Sequence, residues 1–210
     1  MSAPEKNTDF DEAYRSDVGH MMWTDSNVPT ELKNFIRQNS PLNALELGCG
    51  LGLFADYFSK EGIKITAVDF SAVAIEKARN RVREGYESPR FHTGDVTNLK
   101  DISGPFDVSY DIGCFHCLDE PGQMKYAREV NRLLKPGGMH LIWAMDISPR
   151  GMPLSPQVIE KVFGQYFELV SADRHYRREA DSHWYRLLKK RISHKRKYMV
   201  DALYVSGAQP

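Results

Sequence analysis

The chain has 210 residues, with 28 Lys+Arg balanced by 28 Asp+Glu, 41% hydrophobic and 27% charged. Such a composition excludes a disordered, collagen-like or membrane-embedded chain and fits one globular domain with short appendages. A formal net charge of zero removes the simplest argument for a partner such as nucleic acid or an anionic membrane. The opening MSAPEKNTDFDEAYRSD lacks the basic start and apolar stretch of a signal peptide, so a cytoplasmic chain is expected. Three cysteines, Cys49, Cys114 and Cys117, are too few for a disulfide framework and are expected as reduced thiols.

From residue 42 onward, β-prone apolar segments alternate with helical patterns, which predicts an α/β fold wound on both faces of a mostly parallel sheet. Residues 42–47 read as the first strand, followed by Gly48, Gly50 and Gly52 and a helix to about Lys60 that Gly62 can cap. Residues 63–68 form the second strand. Ser71 is a good N-cap for a helix with Ala74, Ile75, Ala78 and Val82 on one face. Residues 91–93 begin a third strand and residues 106–112 a fourth. Pro121 suits the first turn of a helix that buries Met124, Ala127, Val130, Leu133 and Leu134, closed by Lys135-Pro136-Gly137-Gly138. Residues 139–145 are apolar throughout, as expected of a fifth strand covered on both faces. Ser155-Pro156 opens another helix, and residues 167–172 and 183–188 read as two closing strands joined by a polar connection. The predicted organisation is an N-terminal helical lid over 1–39, a domain over 40–192 and a basic, then polar, tail over 193–210.

Glu46-Leu47-Gly48-Cys49-Gly50-Leu51-Gly52 lies between a strand and a helix, where glycines let the chain turn tightly and a ligand approach the backbone. Asp69 ends the next strand, where a carboxylate accepts hydrogen bonds from both hydroxyls of a ribose. The glycines read G-x-G-x-G with Leu53 where a dinucleotide turn has its third glycine, and Glu46 is a poor neighbour for a pyrophosphate. A nucleoside with an ammonium group and no phosphate fits better, and S-adenosylmethionine has that chemistry.

Through residues 46–52, Val68-Asp69-Phe70-Ser71, Gly94-Asp95-Val96, residues 106–113 and Leu134-Lys135-Pro136-Gly137-Gly138, the chain resembles the class I S-adenosylmethionine-dependent methyltransferases over about residues 40–190. The resemblance implies a Rossmann-like seven-stranded sheet with an antiparallel C-terminal hairpin, and S-adenosylhomocysteine as the product. It also implies that Glu46, Gly48, Cys49, Gly50 and Gly52 form the cofactor turn and that Asp69 holds the ribose. Phe70 packs on the adenine in this reading, and Asp95 with Val96 reads the adenine edge.

Methyl transfer from a sulfonium is an in-line displacement, so alignment and exclusion of water supply much of the acceleration. The acceptor side is expected just beyond the strand ends, in Asp111-Ile112-Gly113-Cys114-Phe115-His116-Cys117. This segment is similar to small bacterial stand-alone small-molecule methyltransferases. His116 is the candidate general base, because its ordinary pKa near 6.5 permits proton acceptance at neutral pH. Asp111 is the second catalytic candidate and a contact for the cofactor's methionine end. Cys114, Phe115, Met145 and Asp146 are candidate acceptor-pocket residues, with Tyr14 and Trp23 as a roof from the N-terminal segment. The C-x-x-C of Cys114 and Cys117 has no second pair to complete four ligands, so no metal is assigned.

Residues 173–200 hold ten Lys/Arg and three Asp/Glu, so the neutral total hides an acidic body and a basic end. Two alternatives therefore accompany a small-molecule N-, S- or O-methyltransferase acting as monomer or homodimer. One is an RNA or protein methyltransferase in which Arg186, Lys189, Lys190, Arg191, Lys195, Arg196 and Lys197 meet phosphates while Tyr176, Trp184 and Tyr185 stack on bases. The other is an inactive cofactor-binding partner.

Overall fold

The computed structural model describes residues 7–16, 20–25 and 27–191. Five apolar runs form the parallel strands β1 (Asn43–Leu47), β2 (Lys64–Asp69), β3 (Arg90–Thr93), β4 (Phe106–Ile112) and β5 (Leu134–Met145). A hairpin of β6 (Phe167–Arg177) and β7 (Ala180–Lys189) closes the seven-stranded sheet, with β7 antiparallel to β5, in the order β3-β2-β1-β4-β5-β7-β6. The helices are α1 (Asn7–Arg15), α2 (Thr30–Asn39), α3 (Leu53–Lys60), α4 (Ala72–Arg81), α5 (Glu120–Leu133) and α6 (Pro156–Phe163).

Alternate strand residues feed two cores, one on each face of the sheet. Leu45, Leu47, Ile142 and Ala144 pack with Tyr126, Val130 and Leu133 of α5 and Ile159 and Phe163 of α6. Ala44, Val108, Tyr110 and Trp143 pack on the other face with Phe35, Phe54, Phe58, Ile75 and Ala78. Local chemistry starts the helices, at Ser71 as the sequence predicts and at Asp119, just ahead of the predicted Pro121, for α5. Ser71 Oγ accepts from Ala74 N at 3.1 Å, and Asp119 Oδ1 accepts from Gly122 N at 2.8 Å.

Four expectations change, one being that Met124, expected on the inner face of α5, is exposed. The helix preceding β5 stops at Leu133, and Lys135 to Gly138 belong to β5, where a bulge opposite Phe106 and Val108 absorbs them. The connection between the last two strands shrinks to Arg178 and Glu179, because β6 continues to Arg177 and pairs it with Ala180. Polar residues continue that strand since its outer face meets water and carries the ion pairs Arg174–Asp181 and Arg186–Asp173. Trp184 and Tyr185 are buried in the sheet rather than displayed for stacking.

The described part of the basic stretch is largely tied into the fold. Lys189 Nζ donates to the carbonyls of Asn131 and Leu134, and Lys190 Nζ donates to that of Gly164. Lys195, Arg196, Lys197 and the tail at 193–210 lie outside the described residues, as do 1–6 of the lid. Among the described residues, no helix is long and apolar enough to cross a membrane.

Candidate active site

The chain leaves β1 toward β2 on one side and leaves β4 toward β5 on the other, so a crevice opens beyond the carboxyl ends of these neighbouring strands. A cavity of about 770 Å3 fills it, within the range of small-molecule sites.

The glycine-rich turn forms one wall. Gly48 and Gly50 have φ of 70° and 50°, and Val68 O accepts from Gly48 N and Cys49 N at 2.8 and 3.0 Å. A Cβ on Gly48 would lie 2.4 Å from Cys114 Cβ, and one on Gly50 would lie 2.6 Å from the Tyr14 hydroxyl. Glycine is thus required at both positions by the close approach of Cys114 and Tyr14, and both glycines line the cavity. Asp69 is buried at the end of β2, with Oδ2 accepting from Gly50 N at 2.7 Å and Oδ1 accepting from Ser71 N at 2.9 Å. Burial raises its pKa, while those two N–H groups pull it back. Its carboxylate faces the cavity together with Phe70, Asp95 and Val96. Gly52 stands behind the wall as the N-cap of α3.

Glu46 lines the floor of the same end. Burial pushes its carboxyl up to about 8, against the Tyr110 hydroxyl at 3.2 Å and the Ala55 N–H, which favour the charged form. Cys49 and Cys114 also line the cavity, and burial raises both thiols well above their usual range. They are small apolar walls rather than thiolates.

Asp111 does not reach the cavity. It is fully buried, and its oxygens accept from Cys114 N, Phe115 N and the Tyr126 hydroxyl at 2.8, 2.8 and 2.9 Å. Tyr126 OH in turn lies 3.2 Å from His140 Nε2, and His140 Nδ1 lies 2.8 Å from Ser109 Oγ. This carboxylate shapes the turn after β4, a positioning role in place of the catalytic and cofactor roles expected for it. Burial raises its pKa to about 6.

His116 lines the cavity, but its geometry opposes the role of base. Nδ1 accepts the Met145 N–H at 3.2 Å, so the neutral ring carries its proton on Nε2 and has no lone pair left to take another. Burial, then the nearby Arg178 guanidinium, pushes the imidazole down to about 3, which keeps it neutral. It is a hydrogen-bond donor.

Met145 lines the cavity, whereas two other expected pocket residues do not. Phe115 is buried between Tyr126 and Phe163, at ring-centroid distances of 5.4 Å from each. Asp146 turns to His183, with Nδ1 2.6 Å from Oδ1.

The N-terminal segment covers the cavity. Trp23 Nε1 donates to the Tyr14 hydroxyl at 3.1 Å, and Phe10 meets Trp23 and Phe70 edge-on. Ser71 Oγ donates to Asp11 at 2.5 Å, docking α1 beside the turn that follows Asp69. Arg178, at the tip of the closing hairpin, donates from Nη2 to Trp23 O and to Asp25 Oδ2. Sequence reading missed Arg178, Arg150, Phe10 and Trp143 as lining residues. Only Trp143, at the end of an apolar strand pointing into the crevice, had a signal there to be read.

Comparisons with known proteins agree with this architecture. Residues 44–138 match a family model described as a methyltransferase domain. An uncharacterized methyltransferase of Schizosaccharomyces pombe is 30% identical over 91 residues, which cover 43% of this chain and 63% of the relative. The ubiquinone biosynthesis O-methyltransferase of Coxiella burnetii is 28% identical over 151 residues, covering 66% of this chain and 63% of that protein. The chain thus spans about 63% of the length of these curated relatives. Among solved structures, the N-methyltransferase NodS of Bradyrhizobium japonicum in complex with S-adenosyl-l-homocysteine superposes with a TM-score of 0.71 at 18% identity, covering 89% of this chain and all of that one. The 1,6-didemethyltoxoflavin-N1-methyltransferase of Burkholderia thailandensis gives 0.70 at 21% identity, covering 88% and 87% of the two chains. At these identities the likeness establishes the fold.

Proposed function

We propose that the chain is a class I S-adenosylmethionine-dependent methyltransferase that transfers a methyl group to a nitrogen, sulfur or oxygen nucleophile of a small molecule, a reading supported by the match of residues 44–138 to a methyltransferase-domain family model. One observation carries this reading. The cavity brings a glycine-rich wall with buried carboxyl groups together with Cys114, His116, Trp143 and Met145, under a lid of Tyr14 and Trp23. S-adenosylmethionine, when bound, would supply a sulfonium methyl for in-line transfer to the acceptor's lone pair, with S-adenosylhomocysteine as the leaving group.

The chain's own residues bind and align. Asp69 keeps acceptor capacity beyond its two backbone N–H partners and serves the ribose hydroxyls. Phe70 and Val96 flank the base, and Asp95, whose Oδ1 already accepts from Thr97 N at 2.8 Å, stands at its polar edge. Glu46 and the backbone at Gly48 suit the ammonium and carboxylate of the amino-acid end. Tyr14 and Trp23 exclude water, which strengthens each of these polar contacts. His116 orients the acceptor by donating from Nε2, and the nucleophile arrives already deprotonated.

The lid, the burial of Trp184 and Tyr185 and the ties of Lys189 to the carbonyls of Asn131 and Leu134 favour a small acceptor over RNA. A radiolabelled methyl-transfer screen over thiols, nitrogen heterocycles, phenols, carboxylates and bulk RNA tests this. Label in a small acceptor supports the reading, and label confined to RNA or protein contradicts it.

A further inference from the structure

The cavity is lined by the carboxyl groups of Glu46 in β1, Asp69 at the end of β2 and Asp95 just after β3, and by the cations Arg178, Arg150 and Lys125, with Asp25 and Asp119 beside them. Arg150 Nε is held by the Cys117 carbonyl at 2.9 Å, and Asp119 spends Oδ1 capping α5.

Arg178 sits where arginine is costly. It and Glu179 form the two-residue turn between β6 and β7, with φ of 54° and 59°. Turns of this kind favour Asn-Gly, because left-handed backbone strains residues that carry long side chains. Strained residues held by their surroundings concentrate at functional sites. Here the surroundings aim the guanidinium inward, 4.9 Å over the Trp143 ring.

The local charge is not neutralised. Arg177 and Arg178 both donate to Asp25 Oδ2, at 2.6 and 2.5 Å, so one carboxylate serves two cations. Glu31, the other carboxylate acting on Arg177, is already 3.2 Å from His175. Arg178 Nη2 is occupied by Trp23 O and Asp25, while Nη1 hydrogen-bonds to none of the described residues. That nitrogen lies 3.0 Å from the point where a Cβ on Gly113 would stand, and His116 Cε1 lies 3.6 Å from the same point. Two donors, Nη1 of Arg178 and Nε2–H of His116, therefore converge beside Gly113 on the cavity wall.

We propose that the methyl acceptor carries a carboxylate, which docks on Arg178 and His116 and turns the nucleophile toward the glycine-rich wall of the cavity. This assignment rests on the methyltransferase reading. A partly desolvated guanidinium with one free fork nitrogen forms a charge-assisted hydrogen bond with a carboxylate that a primary amide cannot match. Arg178 and His116 both line the cavity, which is where the group would be received.

The test uses the full chain saturated with S-adenosylhomocysteine. Benzoate, salicylate, anthranilate and hexanoate are each titrated against the matching primary amide, by calorimetry and thermal shift. The proposal expects acids to bind tenfold or more tightly than their amides, Arg178→Met to abolish that ratio, and Arg178→Lys to retain part of it. A residue that only latched the lid would leave the acid-to-amide ratio unchanged. Amides binding as well as acids, no acid binding, or an unchanged ratio in Arg178→Met overturns the proposal. Failure of S-adenosylhomocysteine itself to bind the wild-type chain overturns the methyltransferase reading, a separate result from the same titrations.

Discussion

Arg178 Nη2 donates to the Trp23 carbonyl at 2.5 Å, joining the tip of the closing hairpin to a lid residue 155 positions earlier in the chain. Asp25 completes the clasp by accepting from both Arg177 and Arg178. Asp25→Ala leaves two neighbouring guanidinium groups without their shared carboxylate, in side chains only 13% and 16% exposed. Discounted for that residual exposure, the expected loss of stability is about 1–3 kcal/mol. Hydrogen exchange at residues 20–25 should rise in the same variant. Unaltered exchange there contradicts the clasp.

Gly48→Ala tests the close approach of two turns. Its φ of 70° is unfavourable for alanine, and the added carbon would sit 2.4 Å from Cys114 Cβ. Backbone strain and overpacking together predict a loss of about 2–4 kcal/mol in chemical denaturation. A wild-type midpoint contradicts the turn geometry.

Glu46 predicts a proton linkage. Its carboxyl, near 8 rather than the ordinary 4.5, is mostly protonated at pH 7. An ammonium bound beside it favours the carboxylate, so cofactor binding at pH 7 should release up to about one proton. Calorimetry in buffers of different ionisation enthalpy measures this, and Glu46→Gln should abolish it. The sign for folding follows from the same shift. Between pH 4.5 and 8 the folded chain holds a proton that the unfolded chain has lost, so this group lowers stability as pH rises through that window. Asp111, raised to about 6, acts in the same direction over a lower range.

His116 predicts a negative result in the pH–rate profile. Held neutral, with Nδ1 on Met145 N, it contributes no ionisation near 6.5. His116→Asn, which keeps a donor, should retain more activity than His116→Ala. A limb near pH 6.5 that disappears in His116→Asn restores the role of base.

Much of the frame was legible because its signals are local. The Glu46–Gly52 turn, the Ser71 cap and the alternation of apolar runs each follow from neighbouring residues, and they locate the glycine-rich wall of the cavity. The acceptor end was less legible because tertiary contacts decide it. Asp111 and Phe115 read as site residues from their position after β4, yet the first is consumed by Cys114 N, Phe115 N and Tyr126, and the second faces Phe163. Arg178 was hidden in a polar stretch read as a connection. Only the extended ladder from Phe167 to Arg177, stabilised by contacts across strands, carries it to the cavity.

The ribose contact proposed for Asp69 gives the most direct test of the whole account. Calorimetric titration of S-adenosylmethionine should give one site per chain. Asp69→Ala should weaken it by about 10- to 100-fold, the loss expected for charge-assisted hydrogen bonds of about 1.5–3 kcal/mol. No binding to the wild-type chain, or equal affinity in the variant, contradicts the assignment.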